Sequence, residues 1–415
     1  MQSKILTASA LVAGVSAASN YLGFNSGSVH GSGAAKTQSD FEKEFKTAQN
    51  LVGAPGDFNA VRLYTNIQGA TTADPISAFP AAVATKTSLL LGIWTSGTDS
   101  IANEMNALKA GLEKYGDDLA KLVIGVSIGS EDLYRAGATG VENKAGIGAG
   151  PDVIVKFIKE FKSEFSKYDF SIGHVDTWDA WTNGSNSAVI DAVDWLGVDE
   201  YPYYQTGDDN TIDNAAKLFK EAYDNVVNVA KGKDVWVTET GWPYEGPDWD
   251  KAVPSVENAK QFWDEVGCDQ LFGKVPTFWY NLVDDSTVNE MSFAITKDLN
   301  TNALFNLTCP AKTASSSSAS ASATGLTSPS GTSTATAADA TSTGSSSSGS
   351  SSSGSGSGSG SSSSGSGSGS GSSSSSDSAD SSSTSPVAAS GASVAKLGSS
   401  AFGAIAFIAA AFALL

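Results

Sequence analysis

The sequence predicts a closed (β/α)8 TIM barrel over residues 19–311, followed by a Ser/Gly-rich tail with no fold of its own. Three observations predict it. Eight short apolar stretches alternate with helical patterns, the arrangement that builds a parallel sheet with right-handed crossovers. The foldable part, about 290 residues, is within reach of a single barrel. Finally, two strand-like runs, Lys121–Glu131 and Val235–Glu239, each end in one glutamate just before small or turn-forming residues. Chemistry in such a barrel sits at the C-terminal ends of the strands.

The elements follow in order. Tyr21–Asn25 reads as a short strand, and Ser39–Leu51 has helical spacing with Phe41, Phe45 and Ala48 on one face. Ala60–Thr65 is the second strand, and a small, Ala-rich stretch follows through Ala84. Ser88–Thr95 is the third strand; Ser100–Tyr115 is a helix aligning Ile101, Met105, Leu108 and Leu112. After the Glu131 strand, Pro151–Tyr168 is an amphipathic helix. Strands five and six are Ser171–Thr177 and Trp195–Pro202, and Asn214–Val229 is the next helix. The Glu239 strand is seventh. A helix over Ser255–Val266 and a strand over Val275–Asn281 complete the eight units.

The ends read differently. Residues 1–18 carry a lysine, an apolar run and small residues at Ser16-Ala17-Ala18, the pattern of a secretory signal peptide. Residues 312–390 are almost only Ser, Gly, Ala and Thr and lack the apolar side chains for a core, so a disordered tether is expected. Residues 391–415 end in the apolar run Phe402–Leu415. With the small triplet Ser390-Gly391-Ala392 and a short spacer, they form the pattern of a GPI-anchor signal, with Ser390 as attachment residue. A secreted chain held to the outer face of the cell membrane by a lipid, and reaching the cell wall, is therefore expected.

The formal charge of −19 argues against nucleic acid as a partner. Asn183-Gly184-Ser185 and Asn306-Leu307-Thr308 are N-glycosylation sequons at Asn183 and Asn306. Cys268 and Cys309, the only cysteines, reach an oxidising compartment, where one disulfide or two free thiols are open to them. The two histidines, His30 and His174, form no metal-ligand pattern, and no Gly-rich phosphate loop is present, so neither metal nor cofactor is expected.

Two strand-end glutamates are the apparatus of glycoside hydrolysis, in which one acid protonates the leaving oxygen and the other attacks the sugar carbon or activates water. Arg62, one of only two arginines, lies inside strand two, where its charge needs a partner. Glu239 would supply one and stay ionised as a nucleophile. Arg135 lies in the loop four residues past Glu131. Tyr201 could donate to the nucleophile, and Asp176 and Asp199 could bind sugar hydroxyls or serve as plain structural acids. Trp94, Trp178, Trp181, Trp242 and Trp279 all fall near strand ends, where aromatic faces stack on sugar rings.

At Val61-Arg62-Leu63-Tyr64, Ile128–Arg135, Asp199–Tyr203 and Trp236–Pro243 the chain resembles the fungal family 17 glycoside hydrolases, the endo-β-1,3-glucanases, and most of all their GPI-anchored cell-wall members. The resemblance covers most of Tyr21 to Leu307. It implies a retaining hydrolysis of β-1,3-glucan, with Glu131 as acid/base and Glu239 as nucleophile; a monomer is expected. Tyr64, Ser130, Trp242, Trp279, Asp285 and Glu290 then join Arg62, Asp176 and Tyr201 as substrate-binding candidates. Ser130 departs from the wider group, which often has Asn before the acid/base. No lysine stands between Asp284-Asp285 and Glu290. A β-1,3-glucanosyltransferase would use the same two glutamates, whereas a non-catalytic wall-binding protein would have no need of them.

Overall fold

The computed structural model describes residues 20–285 and 290–311. The expected signal peptide, tether, Ser390 and GPI signal lie outside them. Among the described residues no helix is long and apolar enough to cross a membrane.

Eight parallel strands close into a barrel in sequence order, β1 pairing with β8. They are β1 (Leu22–Ser26), β2 (Ala60–Leu63), β3 (Ser88–Ile93), β4 (Val123–Ser130), β5 (Ile172–Thr177), β6 (Trp195–Asp199), β7 (Asp234–Glu239) and β8 (Thr277–Trp279). Each expected strand is present, most of them shorter than the sequence suggests. Pro202 marks why the sixth stops early: Pro202–Tyr204 is a 3-10 turn, and proline cannot donate to a ladder.

The helices around the sheet are α1 (Gln38–Gln49), α2 (Ala78–Thr85), α3 (Ala102–Tyr115), α4 (Asp117–Ala120), α5 (Asp132–Ala136) and α6 (Ala138–Glu142). They continue as α7 (Pro151–Glu164), α8 (Trp178–Thr182), α9 (Ser187–Ala192), α10 (Ile212–Val229) and α11 (Val256–Phe262). Local chemistry explains their starts. Thr37 caps α1 through a reciprocal capping box with Asp40, and Pro151 begins α7 with its φ already suited to a helix. The Ala-rich stretch is the helix α2, and α11 runs on through a π-helical segment to Leu271.

Two apolar cores hold the barrel. Inside the sheet, Ala60, Leu90, Val175, Trp195, Trp236 and Phe278 form a separate cluster, with Trp195 and Trp236 stacked 4.3 Å apart. Outside it, the helix faces pack on the sheet; α10 contributes Ala215, Leu218, Phe219, Ala222 and Val226. Side chains alternate along a strand, so Arg62, two residues past Ala60, and Asp199, four past Trp195, share the inward side. The apolar plug is thus followed, toward the strands' C-terminal ends, by a layer of charge. Cys268 and Cys309 are joined in a disulfide, with Cα atoms 5.6 Å apart, which settles the open question of their pairing.

Candidate active site

Glu239 is the last residue of β7 and 8% exposed. Its Oε1 accepts from Arg62 Nη1 at 2.5 Å and from Tyr64 Oη at 2.8 Å, and its Oε2 from Tyr201 Oη at 2.8 Å. Arg62 is fixed in turn. Its Nη1 also donates to Asn25 Oδ1 at 2.9 Å and its Nη2 to Ser130 Oγ at 2.8 Å. Burial and neighbouring negative charge hold both phenols well above their usual range, so Tyr64 and Tyr201 remain donors.

Glu131 follows β4 directly, and the chain bends sharply to place it. The β4–β5 register shifts between Ser127 and Ser130, Gly129 has φ +91°, and Glu131 itself has φ 56°. A left-handed glutamate is costly, and such strain collects at functional positions. The surroundings impose it: Glu131 N donates to Val175 O at 2.8 Å, and its carbonyl accepts from Arg135 N at 3.0 Å. Asp132 takes hydrogen bonds from Thr95, Ser96 and the Ser130 amide. Asp176 takes those of the Leu133 and Tyr134 amides at 2.8 and 3.1 Å.

The Glu131 carboxyl meets Arg135 Nη1 at 2.9 Å, an i,i+4 pair. Arg135 also reaches the Ser130 carbonyl and, at 3.2 Å, Ser96 Oγ, while its guanidinium lies 5.6 Å from the Trp94 ring. Despite this cation, the Glu131 carboxyl is pushed up to about 8. Burial is the largest cause, Glu239 and Asp176 add to it, and Arg135 opposes them. Asp199, 1% exposed, joins the two glutamates: one oxygen from each of Glu131, Asp199 and Glu239 lies within 4.8 Å of the other two. Arg62 and Arg135 already supply the positive charge a cation would bring to this trio.

The structure brings Arg62, Tyr64, Ser130, Tyr201 and both glutamates together, and places other expected residues elsewhere. Asp176 is fully buried; besides the amides of Leu133, Tyr134 and Thr177 it faces His174 Nε2 at 2.9 Å and so is spent on structure. Trp242 is buried against Tyr203 and donates to Val253 O. Trp279 packs 4.9 Å from Trp263 in the outer core. Their strand-end positions did not specify which side of the sheet they face. Trp181 is buried too, whereas Trp94 and Trp178 are half-buried.

Asp285 forms an ion pair with the fully buried Lys36, which also meets Glu44 at 2.7 Å. The lysine absent from the sequence around Asp285 thus arrives from the β1–α1 loop. Glu290 is exposed, as are Asn183 and Asn306. Asn25 and the Arg135 contact to Glu131 escaped the sequence reading. The spacing of Glu131 and Arg135 was the available signal, since residues four apart meet on a helix.

A closed (β/α)8 barrel with two buried glutamates at the C-terminal mouth, each against an arginine, defines a glycoside hydrolase scaffold. The chain belongs to the BtgE/BtgC glycoside hydrolase domain family, whose model matches residues 23–297. It is 54% identical over 301 residues to a probable glucan endo-1,3-beta-glucosidase of Aspergillus oryzae, a match covering 71% of this chain and 64% of that relative. It is 30% identical to a glucan 1,3-beta-glucosidase of Saccharomyces cerevisiae, covering 64% of this chain and 81% of the relative. Among solved structures it is similar to a glycoside hydrolase family 17 beta-1,3-glucanosyltransferase from Rhizomucor miehei. That match has a TM-score of 0.55 and 26% identity, covering 68% of this chain and 98% of the other.

Proposed function

We propose that the protein is a retaining endo-1,3-β-glucanase. The observation that carries this reading is the spacing: oxygens of Glu131 and Glu239 lie within 4.8 Å. Retaining glycosidases hold their carboxyl groups roughly 5–5.5 Å apart, whereas inverting ones leave room for a water. Glu131, its proton held by burial, donates to the leaving glycosidic oxygen. Glu239, oriented by Arg62, Tyr64 and Tyr201, bonds to the anomeric carbon. Glu131 then takes a proton from the water that releases the sugar. The names of the Aspergillus and Saccharomyces relatives support β-1,3-glucan as the polymer. Secretion, a GPI lipid and placement at the membrane and cell wall rest on the patterns at the two ends of the sequence.

A second reading is favoured by the likeness to the Rhizomucor enzyme: a sugar, in place of water, captures the glycosyl-enzyme. Sizing the products from a defined linear β-1,3-glucan oligosaccharide separates the two. Products all shorter than the substrate support hydrolysis, and longer products identify a transferase. An untouched oligosaccharide in the presence of folded protein refutes the choice of polymer.

A further inference from the structure

Asp199 is the carboxyl of the central trio that forms no ion pair of its own among the described residues. Its Oδ1 accepts from Thr238 Oγ1 at 2.7 Å, and its Oδ2 is buried without a partner. The groups that face it are Arg62 from β2, Glu131 from the end of β4, Glu239 from β7 and Tyr201 just beyond β6. On the neighbouring strand β5, His174 and Asp176 are paired with each other.

Counting charge over the trio and its two arginines assigns Asp199 a part. With Glu131 protonated, the negative charges of Glu239 and Asp199 balance Arg62 and Arg135. When Glu131 gives its proton to the glycosidic oxygen, the C–O bond breaks and Glu239 becomes an ester. The charge lost at Glu239 then reappears on Glu131, and the sum is again zero. Without Asp199 the same cluster would be one charge positive in both states, leaving burial, Glu239 and Asp176 to favour the proton on Glu131 against two arginines.

Resting on the function proposed above, we propose that Asp199 is a positioning residue for the proton donor. With one oxygen within 4.8 Å of one of Glu131's, its carboxyl shares a single titrating proton with Glu131 as a coupled pair and not through a direct hydrogen bond, and its charge holds that proton on the pair. Burial first, then Glu239 and Glu131, raise the proton affinity of Asp199 against Arg62, in keeping with a pair that titrates jointly.

The test is the pH profile of kcat/KM for the full secreted protein and for Asp199→Asn. Removing a charge about 5 Å away should move the alkaline limb at least about one pH unit toward acid, so the loss of rate at pH 8 exceeds that at pH 5 by about fivefold or more. A limb that stays in place while the rate falls equally at every pH overturns the proposal. Infrared difference spectroscopy of the carboxyl bands gives a readout independent of substrate and of the Asn variant's folding. In Glu131→Gln the shared proton should be lost at lower pH than in the parent; a titration that does not move refutes the sharing. Absence of turnover by the parent on β-1,3-glucan would count against the proposed function alone, and the infrared titration would still decide the role of Asp199.

Discussion

Glu239 and Glu131 each face an arginine, but the arginines arrive by different routes. Arg62 reaches Glu239 across the barrel from a position 177 residues away, and Tyr64 and Tyr201 add two more donors. Arg135 reaches Glu131 from within α5, the short helix that Glu131 immediately precedes, and divides its guanidinium among Ser130, Ser96 and the carboxyl. The first carboxylate is held by three donors from two strands, β2 and β6, and the residues just after them; the second has one cation that burial outweighs. The difference shows how one fold gives two like side chains unlike work. Three fixed donors orient a carboxylate, whereas burying a carboxyl beside a divided cation keeps its proton on it.

The comparison can be broken from either side. The largest effect is expected from Glu239→Gln, which keeps the size of the side chain but removes the carboxylate proposed as nucleophile. We expect kcat to fall about 10⁴-fold or more, with folding intact by circular dichroism. Residual activity within tenfold of the parent would refute the assignment. Arg135→Met should have a smaller effect on rate, about 10²-fold, and a specific effect on pH. Losing the cation that opposes the raised Glu131 proton affinity moves the alkaline limb of kcat/KM upward. A downward shift would mean that Arg135 acts elsewhere.

The smallest effect is on stability. Glu131 is held at about 8 in the fold against its usual 4.5. From pH 4.5 upward the unfolded chain releases this proton while the folded chain keeps it. Its contribution therefore turns against folding up to about pH 8 and is constant beyond. Glu131→Gln has no such proton, so its melting temperature should exceed the parent's by at least about 2 °C at pH 8 and converge with it near pH 4. Parallel melting curves at both pH values would contradict the burial argument.

Much of this was legible in the sequence because the alternation of apolar strands and helices is a local signal. So is a glutamate that closes an apolar run, and the two together locate Glu131 and Glu239 at one mouth. Arg62 was legible for a different reason, as a charge inside a strand. What could not be read depends on distance or facing. Lys36 meets Asp285 over 249 residues, and nothing local marks that contact. Trp242 and Trp279 fall at strand ends, yet their rings face the packed side. The helix α2 is apolar nearly all round, with Ala78, Phe79, Ala81 and Ala82 buried, and so shows no clear polar face to give a period.

The bridge between Cys268 and Cys309 has a mechanical consequence. It closes a loop of 41 residues that contains β8 and the chain following it. A pull applied beyond Cys309 is carried through the sulfur atoms into the helical segment at Cys268. The load bypasses β8, the barrel's shortest strand and the one that pairs with β1 to close the ring. The barrel can therefore bear tension from its C-terminal side without its seam being the part that is stretched.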